Sequence, residues 1–171
     1  GRIIKEKGII NLLKAFDKVR SEMSNQKIRL VIAGDGPLKD ELESRYLDDS
    51  SIQFLGKINF SDILSLFKRT DIFVHPSLYP EGLPTAILEA GLMRTAIIAT
   101  PRGGTEEVII DKRHGIIVDG SVDSLKIALM EMVQNELMRK KSADNVKKRI
   151  ESVFSWQSVA KCVDNKIKES I

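Results

Sequence analysis

Two carboxylates flank a loop rich in glycine and proline within residues 75–89. Glu81 stands just before Gly82, and Glu89 follows inside an apolar pattern of helical spacing. An ionised carboxylate accepts hydrogen bonds through both oxygens, which suits sugar hydroxyls and disfavours a phosphate. The spacing alone is equally compatible with a loop charge at Glu81 and a helix-surface charge at Glu89.

The loop between these carboxylates has the features of an anion site. Pro84 suits the first turn of the helix that follows. The backbone N–H groups around Gly82, Leu83 and Thr85 would then be free, and the helix dipole would favour a negative charge in front of them. Because Gly82 lacks a Cβ, a ligand can approach the backbone closely. We expect a phosphate group here.

A cluster of cations lies at the start of the chain. Arg2, Lys5 and Lys7 precede Gly8, which opens the first long amphipathic segment. Arginine offers a planar fork to phosphate, and lysine offers a compact charge. Cations at a helix start oppose the helix dipole, which favours a binding role over a purely structural one.

Other chemistries lack their patterns. Gly34-Asp35-Gly36 suggests a dinucleotide-binding loop, but the third glycine of that motif would fall at Lys39. The only histidines, His75 and His114, and one distant cysteine form no cluster of metal ligands. Ser77 lacks the glycine context of a hydrolase nucleophile.

Short apolar runs alternate with amphipathic segments, which indicates alternating strands and helices. Strands are predicted over residues 28–33, 52–55, 71–74, 95–99 and 115–118. Helices are predicted near residues 9–19, 38–46, 63–67, 86–93, 121–133, 136–151 and 156–169, the last within a terminal segment 155–171. This order predicts an α/β fold with a Rossmann-like parallel sheet and helices on both faces. Loops 34–37, 75–84 and 100–105 should meet at the carboxyl ends of the strands, where such sheets bind ligands.

Length and composition set the class of protein. The chain has 171 residues, 27 basic and 24 acidic, and 42% of its residues are hydrophobic. One globular domain over residues 1–171 is expected. Aromatic residues, at 5%, are too few for a nucleic-acid stacking surface, so no nucleic-acid partner is expected. No apolar run reaches the length of a membrane span, and the single Cys162 suits the reducing cytoplasm. The opening Gly1-Arg2, without methionine, leads us to expect a domain excised from a longer protein.

Five short motifs follow one another along the chain. They are Gly1-Arg2 through Lys7-Gly8, Ala33 through Pro37, His75-Pro76-Ser77 through Glu81 to Glu89-Ala90, Gly103-Gly104 with Glu107, and Phe154-Ser155-Trp156. Together they resemble the C-terminal, donor-binding domain of the group 1 retaining glycosyltransferases, which have the GT-B fold. The resemblance covers essentially the whole chain, which would then be one half of a GT-B enzyme.

The resemblance implies a phosphate pocket. Arg2 and Lys7 would hold the diphosphate of a nucleoside diphosphate sugar. The backbone from Gly82 through Leu83 and Pro84 to Thr85 would complete that pocket.

The resemblance also implies roles around the nucleoside and the sugar. Glu89 would accept the ribose hydroxyls, and Glu81 would face the transferred sugar as the catalytic residue. Lys57 and Ile58 would lie against the base through their backbone, and Gly34 would belong to the glycine loop of the family.

The implied activity is transfer of the sugar, with retained anomeric configuration, to a glycan or lipid-linked acceptor in polysaccharide biosynthesis. A missing N-terminal domain would bind the acceptor, and the parent enzyme could touch the cytoplasmic face of the membrane. Group 1 enzymes resemble one another in needing no metal, so no cofactor is expected. Alternatives are a nucleotide-sugar epimerase or a pyridoxal-phosphate phosphorylase of similar fold, and a non-catalytic nucleotide-binding module; a dehydrogenase is the weakest rival.

One stretch departs from the family pattern. Arg94 and Ala96 stand where a glycine and then a proline are usual between the glutamate-bearing helix and the next strand. A helix end without glycine costs up to about 1 kcal/mol if it needs a left-handed residue. This departure concerns the turn at Arg94 and not the donor site.

Overall fold

The computed structural model describes residues 1–169 of the chain. Within that range there are five strands: β1 (Leu30–Ala33), β2 (Ile52–Gly56), β3 (Ile72–His75), β4 (Ala96–Ala99) and β5 (Ile116–Ile117). All five lie where the apolar runs predict them.

Eight α-helices surround these strands in the described residues. They are α1 (Ile9–Glu22), α2 (Lys39–Arg45), α3 (Phe60–Phe67), α4 (Thr85–Leu92), α5 (Thr105–Val108), α6 (Val122–Gln134), α7 (Glu136–Val153) and α8 (Trp156–Glu169). A short 3₁₀ turn at Lys5–Lys7 precedes α1. This turn and α5 were not predicted, because elements so short show no apolar period. Residues 170 and 171 of the predicted terminal segment lie outside the described residues.

All strand pairs are parallel, which confirms the predicted α/β class. The described hydrogen-bond ladders form two sheets, β1–β2 and β3–β4–β5, rather than one continuous sheet. His75 pairs with Ala99 at the ends of β3 and β4. The loops that leave these two strands therefore start side by side.

The core is built on both faces of β4. Ala96 and Ile98 pack with residues of α1 and α6, whereas Ile97 and Ala99 pack with residues of α4 and α7. This alternation explains the continuous apolar run, because both faces of the strand are covered. Full burial of a side chain such as Ile97 contributes roughly 1.5–3 kcal/mol.

The β1–β2 pair differs from this expectation. Val31 and Gln53 are register partners, and both are exposed. One face of this pair is therefore partly open to solvent, so the prediction of cover on both faces is wrong here. The polar Gln53 on the same face as Val31 accounts for the difference.

The position of Pro84 differs from its prediction. Pro84 is the residue before α4, in an extended conformation, and not a residue of the first turn. The fixed φ of proline suits this position too, because it also allows an extended approach to a helix.

The turn at Arg94 forms despite the missing glycine. Arg94 is the only non-glycine residue of the described chain with a positive φ, 62°. Its guanidinium hydrogen-bonds to the carboxylate of Asp144 on α7, with the Nε atom at 2.7 Å. The left-handed turn after α4 is therefore kept, and an arginine adopts it.

Candidate functional site

Two chain segments meet at the carboxyl end of β3. The amide of Leu78 donates to the carbonyl of Glu6 at 2.8 Å, which joins the 3₁₀ turn to the loop after β3. Gly8 has a φ of 71°, and a Cβ there would stand 2.0 Å from the carbonyl oxygen of Pro76. Only glycine satisfies both conditions. This close approach places Lys7 beside the loop that carries Glu81.

A third segment packs against the same loop from β4. The amide of Gly104 donates to the carbonyl of Gly82 at 3.1 Å. A Cβ on Gly103, whose φ is 56°, would lie 1.8 Å from that same oxygen. The glycine pair after β4 therefore fixes the backbone at Glu81 and Gly82.

The carboxylate of Glu81 bridges the ammonium group of Lys7 and the imidazole of His75. Its Oε2 lies 2.8 Å from Lys7 Nζ, and its Oε1 lies 3.1 Å from His75 Nε2. The three side chains are only 25%, 14% and 16% exposed for Lys7, His75 and Glu81. Contacts this sheltered from water are stronger than a surface ion pair.

The surroundings keep Glu81 ionised and His75 neutral. Burial raises the pKa of the Glu81 carboxyl, but hydrogen bonds from Lys7 and Ser77 and the nearby His75 outweigh it and lower that pKa. Burial lowers the pKa of His75, and the Glu81 carboxylate offsets only part of this effect. Because ionised Glu81 can only accept, Nε2 of the neutral imidazole carries the hydrogen and donates it.

The entrance to α4 is open. In the part of the chain that the structure describes, no hydrogen bond uses the amides of Gly82, Leu83 or Thr85. A Cβ on Gly82 would meet nothing within 4 Å. These amides therefore lie free in front of α4, as the sequence predicts for an anion site.

The remaining predicted residues lie on neighbouring backbone. Arg2 forms a parallel bridge with Asp35, and the amide of Ile3 donates to the carbonyl of Asp35 at 2.8 Å. The amide of Gly34 donates to the carbonyl of Gly56 at 2.8 Å, which places Lys57 directly after that junction. Segments 1–3, 34–36 and 56–58 are thus adjacent.

Some predicted side chains are not brought into contact with this centre. Within the described residues, no hydrogen bond or ion pair joins Arg2, Lys57, Ile58 or Glu89 to Glu81. Glu89 lies half-buried in the middle of α4. The roles given to these residues remain predictions.

Two contacts of Glu81 were not predicted from the sequence. His75 and Ser77 were named in the motif that leads to Glu81, and were weighed as a metal ligand and a nucleophile, but neither was expected to interact with Glu81. Thr100 fixes Ser77 by donating to its carbonyl at 2.5 Å. The available signals were the shared motif and the position of His75 at the end of a strand, six residues before Glu81.

A cavity of about 240 Å³ lies at the other end of β3. The cations on its wall are Lys68, Arg69, Arg94, Arg139 and Lys140. Arg94 is paired with Asp144, Lys140 is paired with Glu136, and Arg139 donates to the carbonyl of Met132 at 2.8 Å. These partners give most of its cations a structural role.

The comparison with protein families decides the assignment. The sequence model of the family described as "Glycosyl transferases group 1" matches residues 1–149. The chain belongs to this family. The resemblance inferred from the five motifs is therefore confirmed.

Individual proteins of similar sequence or fold agree with this assignment. An uncharacterised glycosyltransferase of Methanocaldococcus jannaschii is 32% identical over 94% of this chain and 42% of its own length. The C-terminal domain of a group 1 glycosyl transferase from Francisella tularensis has a TM-score of 0.81 at 27% identity, covering 91% of this chain and 84% of that one. An Anabaena protein crystallised with UDP-glucose has a TM-score of 0.82 at 20% identity, covering 99% of this chain and 47% of that one, and shows the fold alone.

The chain spans about two fifths of the length of its curated relatives. It covers 42% and 41% of two glycosyltransferases of Methanocaldococcus jannaschii. No described helix is long and apolar enough to cross a membrane. The described residues also contain no group of three or more His, Cys, Asp or Glu side chains that could hold a metal ion.

Proposed function

We propose that this chain binds a nucleoside diphosphate sugar and presents it for retaining transfer of the hexosyl group. The observation that supports this best is the position of Lys7 and Glu81 beside three unpaired amides at the start of α4. A cation, a helix N-terminus and a carboxylate at one loop suit a diphosphate joined to a sugar. The Anabaena protein with a similar fold was crystallised with UDP-glucose, which supports the same class of ligand.

In this proposal the diphosphate lies between the cations and the helix. Lys7 and Arg2 contact its oxygens, and the amides of Gly82, Leu83 and Thr85 donate to it. These donors stabilise the negative charge that develops on the departing diphosphate, so the reaction is proposed to need no metal.

The sugar and the nucleoside extend to either side. Glu81 faces the sugar, Glu89 accepts hydrogen bonds from the ribose hydroxyls, and the backbone at Lys57 and Ile58 contacts the base. We favour front-face attack by the acceptor, assisted by the leaving phosphate, over a covalent intermediate on the chain. Glu81 then stabilises positive charge that develops on the sugar.

The acceptor requires more protein. Because the chain spans about two fifths of its relatives, we propose that a further domain binds a glycan or lipid-linked acceptor across a cleft. The complete enzyme is proposed to act in the cytoplasm or at the cytoplasmic face of the membrane, in polysaccharide biosynthesis.

Calorimetric titration with UDP and GDP tests the binding site. We expect one of these nucleotides to bind, and Arg2→Met and Glu89→Gln each to weaken binding by roughly 1.5–3 kcal/mol, because each removes a charged hydrogen-bond partner. Glu136→Gln is the matched control, since Glu136 pairs with Lys140 on α7. Unchanged affinity in both site variants would reject the assignment.

A further inference from the structure

The ammonium group of Lys7 has two possible partners, the donor diphosphate and Glu81. The proposed function gives its ammonium to the donor diphosphate, but in this structure the ammonium is 2.8 Å from Glu81 Oε2. A diphosphate added beside an ionised Glu81 would bring two anions together in a sheltered site, where charges interact strongly. The pair must therefore change when a donor arrives.

The backbone is fixed at all three members of the bridge. His75 ends β3 and is paired with Ala99 in the sheet. Lys7 belongs to a turn fixed by the bond from Leu78 to Glu6. Glu81 lies in the loop between β3 and α4, whose backbone is held by the glycine pair after β4. The bridge can therefore change partner by side-chain rotation, with no movement of the backbone.

We propose that Glu81 exchanges partners: it neutralises Lys7 before the donor binds, yields Lys7 to the donor diphosphate, and keeps its contact with His75, which aims it at the sugar. This inference rests on the proposed function and extends it. His75 is a positioning residue, because it acts on the sugar through Glu81. The consequence is selection for a nucleotide sugar over the bare nucleotide.

The charges around His75 predict a linked proton. The charged groups that act on it are Glu81, Lys7 and the amino group of Gly1, and the ring of Phe73 packs nearby at 6.2 Å between centroids. Burial is the largest effect that lowers the pKa of His75, and the positive charge of Lys7 lowers it further. A diphosphate on Lys7 cancels that charge, so donor binding raises the pKa of His75. Affinity for the donor then increases as the pH falls through the pKa of the bound state.

Proton NMR of the imidazoles tests the bridge, first in the free chain and then with a donor bound. The chain has only two histidines, His75 and His114, so His114→Asn assigns both signals. We expect Glu81→Gln to lower the pKa of His75 and Lys7→Met to raise it. Saturation with UDP-glucose or GDP-mannose should raise it in the same direction as Lys7→Met. A His75 pKa that responds to neither substitution would overturn the inference.

Affinity ratios test the positioning role. We expect His75→Phe to weaken binding of the nucleotide sugar about two- to tenfold relative to binding of the bare nucleotide. This is the effect of one lost hydrogen bond. His75→Gln should restore the ratio through its amide donor but abolish the pH dependence of donor affinity. Nucleotide sugars suit this measurement because their phosphates do not titrate near neutral pH.

The possible outcomes separate the two proposals. His114→Gln is the control and should leave both affinities and their pH dependence unchanged. If His75→Phe weakens UDP and UDP-glucose equally, the exchange is wrong while the nucleotide site stands. If the chain binds none of UDP, GDP, UDP-glucose and GDP-mannose, the proposed function falls, and the exchange falls with it.

Discussion

Two glycines of the candidate site are expected to have different roles, one in stabilising the fold and one in binding the ligand. Gly103 has a left-handed backbone and no room for a Cβ, whereas Gly82 faces open space. We expect Gly103→Ala to destabilise the chain by more than about 1 kcal/mol. Gly82→Ala should change stability by less than about 0.5 kcal/mol yet weaken nucleotide binding, because the new methyl group obstructs the backbone amides.

Urea unfolding and calorimetry of these two variants decide the point. Equal stability of both variants would contradict the packing described for Gly103. Full nucleotide affinity in Gly82→Ala would show that the ligand does not approach this backbone.

Residue types alone predicted part of the candidate site. Lys7, Glu81 and the loop at Gly82 could be chosen because their chemistry suits a diphosphate and a sugar. The bond between His75 and Glu81 could not, because it depends on the path of the loop between them. Sequence spacing gives no information on how an irregular loop folds back.

At the scale of elements, the turn after α4 tests how much a non-glycine residue at a positive φ lowers the free energy of unfolding. Arg94→Gly and Arg94→Ala both remove the partner of Asp144, so they differ only in backbone preference. We expect the glycine variant to be the more stable by roughly 1–2 kcal/mol, because alanine at a positive φ is strained. Urea unfolding compares them, and an alanine variant as stable as the glycine variant would contradict a left-handed turn.

Elements were predicted well where burial imposes a pattern and poorly where it does not. The core strand β4 showed a continuous apolar run because both of its faces are covered. The 3₁₀ turn at Lys5–Lys7 and the four-residue α5 bury too little to leave a period. The division into two sheets also left no trace, since it depends on hydrogen bonds between distant segments.

At the scale of the whole molecule, α8 is the least integrated element. None of its described side chains is fully buried, and Trp156 is 88% exposed. A helix of 14 residues without tertiary packing is marginal in water. We expect the amides of α8 to exchange with deuterium much faster than those of α7, whose Val146 and Ile150 are buried. Equal protection of both helices would show that α8 is packed by contacts absent from this structure.

The proposal of a further domain for the acceptor predicts binding without turnover. Because the acceptor is proposed to sit on a further domain, the 171-residue chain should bind the donor but not transfer its sugar. A radiolabelled transfer assay with UDP-glucose and GDP-mannose checks this. Transfer by the chain alone would contradict the proposal that a further domain binds the acceptor.

The most direct test of the account is to map nucleotide binding on the backbone amides by NMR during titration with UDP and GDP. The account predicts the largest shifts at Gly82, Leu83 and Thr85, and their loss in Lys7→Met. Shifts confined to the cavity at the opposite end of β3, around Lys68 and Arg69, would place the anion elsewhere and contradict a diphosphate site at the start of α4.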